Sequence, residues 1–461
     1  MQSDRGHWGS NVGFILATSG SAIGLGNLWR FPYMTWENNG GAFVLVYLIC
    51  VAAVGLPILM AELLIGRRSQ KSTVGALREC AGPWWGVIGV WGVLCCFLLL
   101  SFYTVIAGWS LYYFARTAAW SVGGYPTGLA TGAIFNAQVG DTGLQLLLSL
   151  AFSLTTAGVV WCGVRDGIER LARVALPVLF GILVLLLVSA LGMSGSGQAL
   201  RFLFQASFAD LDAGSMLGAL GQSFFSLSVG MGGMITYGSY LSRKHSIVKA
   251  SAVIVALDTL IAVIASVVMF SVIFSVAGMT EQVGASPVGM LFISLPELFY
   301  TAVPFGVLLA PLFYVLVAVA ALTSTISLLE VVTSYLIDEH ALERRRATLL
   351  AGGAIFVFTV FAVLSFAGAP FFSSLTVFAD KSGWFSTVDH FVSNVMLPSG
   401  GLAVTLAAGW FVSRRVSRAE LVDGNQPGWF RYGAWLGFIR FVAPAAVLAM
   451  IIAVLFGRDF S

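Results

Sequence analysis

Gly20-Ser21-Ala22-Ile23-Gly24-Leu25-Gly26-Asn27, running into Trp29-Arg30-Phe31-Pro32, interrupts the first apolar run of the chain. Glycine costs about 1 kcal/mol relative to alanine inside a helix, so three within so short a stretch weaken it locally. Farther along, Phe225-Ser226-Leu227-Ser228-Val229-Gly230-Met231-Gly232-Gly233 repeats the interruption. Taken singly, each run is better explained as a close-packing surface between helices. Their surroundings change that reading.

Around these runs the chain is 58% hydrophobic and only 10% charged, against about 45–50% apolar and about 25% charged in a soluble domain. That much apolar surface needs lipid, so the class is all-α and polytopic. A hydrocarbon core takes about 20 apolar residues per helix. Eleven spans satisfy it: 11–35, 42–65, 84–115, 143–163, 172–192, 216–240, 247–275, 304–336, 348–367, 384–412 and 434–456. Val12–Ala22 resembles a signal-peptide core, but its continuation into a second apolar run makes it a retained first span. Assigning loops to alternate sides puts nineteen of the 24 Lys and Arg on one face, leaving only Arg30, Arg116, Arg201, Lys381 and Arg458 on the other. By the positive-inside rule the N-terminus is cytoplasmic and the far terminus outside. The glycine runs then fall in spans one and six, the same place in two halves of five spans: a first repeat 11–192, a second 216–412 and an extra helix 434–456. Unwound backbone inside a membrane survives only where protein, ions or a polar ligand satisfy it. Interruptions at matching places point to an inverted-repeat transporter with a site at the midplane.

Other classes find little support. The net charge of +3 argues for no nucleic-acid partner. The cysteines (50, 80, 95, 96 and 162) lack CxxC spacing, and the histidines (7, 245, 340 and 390) match no metal motif. Gly20-Ser21-Ala22-Ile23-Gly24 is not GxSxG, and there is no nucleotide-binding loop. The chain is therefore read as no enzyme. A substrate-gated channel or an amino-acid sensor of the same fold is the alternative.

The ordered motifs resemble the neurotransmitter:sodium symporters over nearly the whole chain. They are Arg5-Gly6-His7-Trp8, GSAIGLGNLWRFPY from Gly20, GGAF from Gly40, GLPILMAELLIGR from Gly55, RDGIERLARVALP from Arg165, QSFFSLSVGMGGMITYGSY from Gln222, ALTSTISLLE from Ala321 and LIDE from Leu336. The resemblance is greatest to the eleven-span bacterial amino-acid transporters, a group that includes the bacterial leucine transporter. It implies two sodium ions. The first would be held by the Ala22 carbonyl with Asn27, Ser226, Asp258 and the substrate carboxylate. The second would be held by the carbonyls of Gly20, Ile23 and Ala320 with the hydroxyls of Thr323 and Ser324. Both sets are all oxygen, as a hard cation requires. Ordinary back-bonding is the plainer account of the two hydroxyls.

The resemblance places the amino acid between the breaks. Amides around Ala22, Gly24 and Gly26, with Tyr103, would take its carboxylate. Carbonyls near Ala22, Phe225 and Ser226, with Ser228, would take its ammonium group. Leu99, Met231, Ser327 and Leu328 would meet the side chain, and Phe225 and Tyr103 would cover it. Gates are implied outside, at Arg30 with Asp389 (or Asp380) and Gln222, and inside, at Arg5 with Asp338, Trp8 and Tyr240. Glu62 would brace the break in span six. Glu330 either lines the exit of the second sodium or is protonated against a neighbouring helix. Gly167 and Pro177, ten residues apart, resemble a segment that unwinds to admit water.

Where other members have GFG in span six this chain has Gly230-Met231-Gly232, and an adaptable thioether suits bulky hydrophobic or aromatic L-amino acids. Animal members place asparagine and serine where Asp258 and Ala262 stand, and bind chloride. A carboxylate here supplies that charge, so no chloride requirement is expected. Protonation of Asp258 on the empty return, giving proton antiport, stands beside the plainer reading that it only ligates sodium. The implied setting is the inner (plasma) membrane with its lipid, with small-molecule substrates; sequence does not fix an oligomeric state.

Overall fold

The computed structural model describes residues 6–126, 131–207, 211–276, 287–378, 381–422 and 426–459. Nine helices among them are long and apolar enough to cross a membrane: Gly41–Ser69, Pro83–Gly123, Thr142–Trp161, Val164–Leu191, Ile247–Phe274, Gly306–His340, Arg344–Phe366, Trp384–Phe411 and Tyr432–Leu455. A bent pair, Asn11–Ala22 and Gly26–Glu37, meets at 53° and forms a tenth. The expected sixth span stands in two pieces, Ala213–Ser226 and Gly233–Ser239. Neither piece is long enough to cross alone, and the count of eleven rests on taking them together.

Boundaries follow local chemistry. Ser10 caps the first helix, its hydroxyl accepting from Gly13 N at 2.9 Å. Asp141 does the same for Leu144 N at 2.9 Å, and Asp212 for Ser215 N at 2.6 Å. The fifth helix begins at Val164, well before the expected 172, with a π-type turn over Val164–Glu169 that continues into Arg170–Leu191. Pro177 lies inside that helix. A short antiparallel hairpin, Thr376–Phe378 with Lys381–Ser382, was not expected from an apolar, helix-patterned sequence.

Pro83–Gly123 has 41 residues; at about 1.5 Å per residue it is about twice the ~30 Å of a hydrocarbon core. Tilt and projection into the headgroup layer absorb the excess. This helix packs along Gly306–His340, and the first helix packs on Gly306–His340, Val164–Leu191 and Ile247–Phe274. Both interrupted helices thus sit inside a cage of continuous ones, with their breaks near one another. The end of the bundle where the arginines and lysines gather is called the basic end below.

Candidate functional site

In an intact helix, Gly24 N and Leu25 N would close turns onto Gly20 and Ser21. Here Gly24 N donates to Asn27 Oδ1 at 3.3 Å and Leu25 N to the Tyr103 hydroxyl at 3.0 Å. Those two carbonyls are thereby released from the helix. The Ser21 carbonyl accepts hydroxyls from Ser228 at 3.1 Å and Ser324 at 3.3 Å, joining the first, sixth and eighth spans. Ser21 was not singled out from sequence, because nothing marks one carbonyl among several.

The second break, Leu227–Gly232, is held from behind. Gly230 N donates to Glu62 Oε1 at 2.6 Å, and the amides of Ile235 and Met234, early in the following helix, act on the same carboxylate. Thr73 Oγ1 donates to the Gly232 carbonyl at 2.8 Å, and Cys96 Sγ to the Met231 carbonyl at 3.4 Å. Gly232 has φ +80°, and a Cβ there would fall 2.4 Å from the Thr73 methyl, so both conformation and space require glycine. Ser228 takes φ +52° without being glycine, a strain of the kind that persists where surroundings over-determine the backbone.

Between the breaks lies a cavity of about 30 Å³. Its walls include ten residues expected around an amino acid: Ala22, Gly24, Gly26, Leu99, Tyr103, Phe225, Ser228, Met231, Ser327 and Leu328, together with Ser21 and Ser324. Ser226 is absent from the wall because its hydroxyl turns the other way. A Cβ on Gly24 would fall 2.5 Å from Ser324 Oγ and 2.9 Å from the Tyr103 hydroxyl. One on Gly26 would fall 2.8 Å from the Phe225 ring. The glycines therefore let polar groups and an aromatic face come close to bare backbone.

Asn27, Ser226 and Asp258 form one buried cluster. Asn27 Nδ2 donates to Asp258 Oδ1 at 2.8 Å, to the Asp258 carbonyl at 3.1 Å and to Ser226 Oγ at 3.2 Å; Ser226 Oγ donates to Asp258 Oδ2 at 2.6 Å. Tyr47 donates to Ser226 Oγ at 3.2 Å and was missed, since a tyrosine inside an apolar run carries no pattern. Asp258 is fully buried, and among the described residues no basic side chain forms an ion pair with it. A carboxylate so placed costs several kcal/mol unless a cation or a proton balances it. The Asp258 carboxylate and the Ser226 hydroxyl, beside the Asn27 amide, offer the oxygen atoms that suit a hard cation.

Thr323 and Ser324 face the first helix. The Thr323 hydroxyl donates to the Ala320 carbonyl at 2.9 Å, and a Cβ on Gly20 would lie 3.2 Å from Thr323 Cβ. The Ala320 carbonyl, the Thr323 and Ser324 hydroxyls and the released Gly20 carbonyl thus come from two helices in direct contact, with Ile23 beyond the end of the first.

At the sparsely charged end, the Arg30 guanidinium lies 4.4 Å over the Phe225 ring. Arg30 is electrostatically attracted to Asp389 and, unexpectedly, to Asp459. Gln222 Nε2 donates to the Gly26 carbonyl at 3.3 Å. Asp380 lies outside the described residues. At the basic end, Trp8 Nε1 donates to the Tyr237 carbonyl at 3.0 Å and its amide to the Tyr240 carbonyl at 3.3 Å. Asp338 accepts from Ser72 N at 2.6 Å, while Arg5 lies outside the described residues.

Glu330 is bonded to the sixth span and to an arginine that sequence did not single out. Arg344 grips it with both terminal nitrogens, at 2.8 and 2.9 Å, and the Tyr240 hydroxyl donates at 2.6 Å. Gly167 packs so tightly that a Cβ would meet the Val159 carbonyl at 2.0 Å. The stretch from Gly167 to Pro177 is helical here, and Glu169 within it accepts from Gly9 N at 2.6 Å, from Ser10 Oγ at 3.2 Å and from Arg173 at 2.5 Å. That tie between the fifth span and the start of the first was not read from sequence.

Two broken helices around a midplane cavity, caged by continuous helices, define a membrane transporter of the broken-helix class. The profile of the sodium:neurotransmitter symporter family matches residues 5–122 and 134–458, and the chain belongs to that family. It is 35% identical over 442 residues to an uncharacterised sodium-dependent transporter, YhdH, of Bacillus subtilis (strain 168), with 96% of each chain covered. Similarity extends at 24% identity to the sodium- and chloride-dependent GABA transporter ine of Drosophila melanogaster, across 93% of this chain and 49% of that one. Among solved structures, MhsT in complex with L-phenylalanine superposes with a TM-score of 0.87 and 36% identity, covering 97% of this chain and 99% of that one. The chain is accordingly a sodium-coupled transporter and not an enzyme.

Proposed function

We propose that the protein is a symporter for bulky hydrophobic and aromatic L-amino acids, driven by two sodium ions and working by alternating access without chloride. The observation that carries this reading is the cavity itself, whose polar groups come from both breaks and whose remaining wall is Leu99, Met231 and Leu328 beneath Phe225 and Tyr103. The amides of the first break, released from the helix, and the Tyr103 hydroxyl suit a carboxylate, and the Ser21 and Ala22 carbonyls suit an ammonium group. Room of about 30 Å³ is enough for a water or two, so a large side chain enters as Met231 and Phe225 move aside, which an unbranched thioether does readily. The MhsT structure holding L-phenylalanine is consistent with that choice.

In this reading, Asp258, Asn27, Ser226 and the Ala22 carbonyl take one sodium, while Gly20, Ile23, Ala320, Thr323 and Ser324 take the other. The repeats 11–192 and 216–412 rock about the site, with the basic end facing the cytoplasm of the inner membrane. Two charges moving down about 100 mV release about 4.6 kcal/mol, roughly three decades of accumulation. Arg30 and Asp389 close the outer side, and Trp8, Tyr240 and Asp338 the inner. Opening inward requires the Gly167–Pro177 stretch to unwind and Glu169 to release Gly9. Asp258 makes chloride unnecessary by holding negative charge close to the first sodium, where it is worth several kcal/mol.

The test is a competition screen of all twenty amino acids against labelled L-phenylalanine in proteoliposomes, in chloride and in gluconate. Inhibition by tryptophan, tyrosine, leucine and methionine but not by glycine or the charged residues is expected, equally in both salts. Inhibition confined to small or charged amino acids would refute the substrate class, and loss of transport in gluconate would refute chloride independence.

A further inference from the structure

The short segment after the last helix reaches the outer gate. The helix Tyr432–Leu455 ends in a turn with Gly457 at φ +85°, and Asp459 then returns over the outer ends of other spans. Its carboxylate is ion-paired with Lys381 of the hairpin. Asn394 Nδ2 donates to Asp459 Oδ1 at 2.7 Å, and His390 Nδ1 lies 3.4 Å from the same oxygen, both one turn apart on Trp384–Phe411. Asp389, on the same turn, carries a like charge that Asp459 repels. Arg30 is attracted to both carboxylates.

The neighbouring Arg458 lies 4.0 Å from Asp212 Oδ2, at the start of the sixth span. Arg458 and Asp459 together wall a cavity of about 470 Å³ with Met34, Glu37 and Gly218, from the outer halves of the first and sixth spans. Of the five basic residues assigned to this side from sequence, three (Arg30, Lys381 and Arg458) belong to this one cluster. Charge is scarce on that face, so its concentration here is informative. One segment thereby bridges the two interrupted helices and the tenth span, which must separate when the outer side opens.

We propose that Asp459 is a gating carboxylate: with Lys381 and Asn394 it fixes the segment after the last helix across the outer mouth, tying the tenth span to the outer halves of the first and sixth so that the closed outer gate is stabilised. The eleventh span, which lies outside the two repeats, then acts as part of the gate. This rests on the alternating-access reading above, and the experiment below needs neither substrate nor sodium.

The full chain carrying Cys162→Ser and Met34→Cys is placed in nanodiscs, and the rate of modification of the new thiol by a charged methanethiosulfonate is followed. Partly exposed ion pairs of this kind shift an equilibrium modestly, so Asp459→Asn and Lys381→Gln are each expected to speed modification about three- to fivefold. Asp459→Glu should leave it near the parent rate. Unchanged rates in both Asp459→Asn and Lys381→Gln overturn the proposal, as does a fall in melting temperature with no change in rate, which would make the segment an anchor only. A response in modification rate from a parent protein that shows no sodium-dependent uptake would count against the transport reading and not against the gate.

Discussion

The two breaks are built differently. In span one, three residues, Ile23 to Leu25, separate the helical pieces, and the freed amides are met by Asn27, from the cluster around Asp258, and by Tyr103, which lines the cavity. In span six the gap Leu227–Gly232 is twice as long and left-handed at Ser228, Gly230 and Gly232. Its peptide groups are met from the far side by Glu62, Thr73 and Cys96. One break is therefore open to a ligand, and the other is braced against the scaffold. A buried peptide group needs a partner wherever it lies, but the partner's position decides whether the backbone serves binding or stability.

This contrast predicts that changes behind span six reduce stability and that changes in front of span one reduce binding. The largest effect is expected for Glu62→Leu, which leaves the Gly230 amide buried without an acceptor. A loss of about 3 kcal/mol should appear as a lower melting temperature and poor yield of purified protein, while Glu62→Gln, which keeps an acceptor, should recover most of it. Normal melting of Glu62→Leu would break the comparison. Gly24→Ala comes next. Its new methyl meets Ser324 and Tyr103, so affinity for L-phenylalanine should fall at least about tenfold, or about 1.4 kcal/mol, with melting unchanged; isothermal titration in sodium reads the first and a thermal scan the second.

A smaller effect is expected at the inner end. Pro177→Ala restores a helix hydrogen bond and stiffens the fifth span, so turnover should drop about threefold while sodium-dependent binding stays intact. Equal turnover in the two proteins would show that the stretch does not unwind during transport. The smallest is Thr73→Val, which removes one hydroxyl from the Gly232 carbonyl at constant shape. A loss of about 0.5 kcal/mol in stability, with substrate affinity held, would sharpen the comparison; lost affinity at full stability would reverse it.

Much of this architecture is visible in the sequence, because its strongest signals are crude. Apolar runs of membrane length mark nine helices and the bent pair, and glycine clusters mark both breaks. Resemblance then brings together residues from the first, third, sixth and eighth spans that no periodicity connects, and these line one cavity. What stayed hidden depends on registry between distant helices. Thr73, Cys96 and Tyr47 each contribute one polar group from an otherwise ordinary stretch, and only the packing of a long helix decides which group points where. Glu169 hid inside a basic cluster that looked like a topological signal. Arg344 was not singled out as a partner of Glu330 because it lies beyond the end of that residue's helix and resembles the other arginines beside it. Asp459 stood too far from any motif to suggest a gate.

The central claim, that sodium drives a large hydrophobic amino acid through the cavity between the breaks, is tested most directly by L-tryptophan uptake into proteoliposomes under an imposed inward sodium gradient. The protein should accumulate tryptophan above equilibrium in sodium and not in choline, and Asp258→Asn, which removes the buried charge, should abolish accumulation in both. Accumulation in choline, or sodium-driven accumulation by Asp258→Asn at the parent rate, would contradict the account.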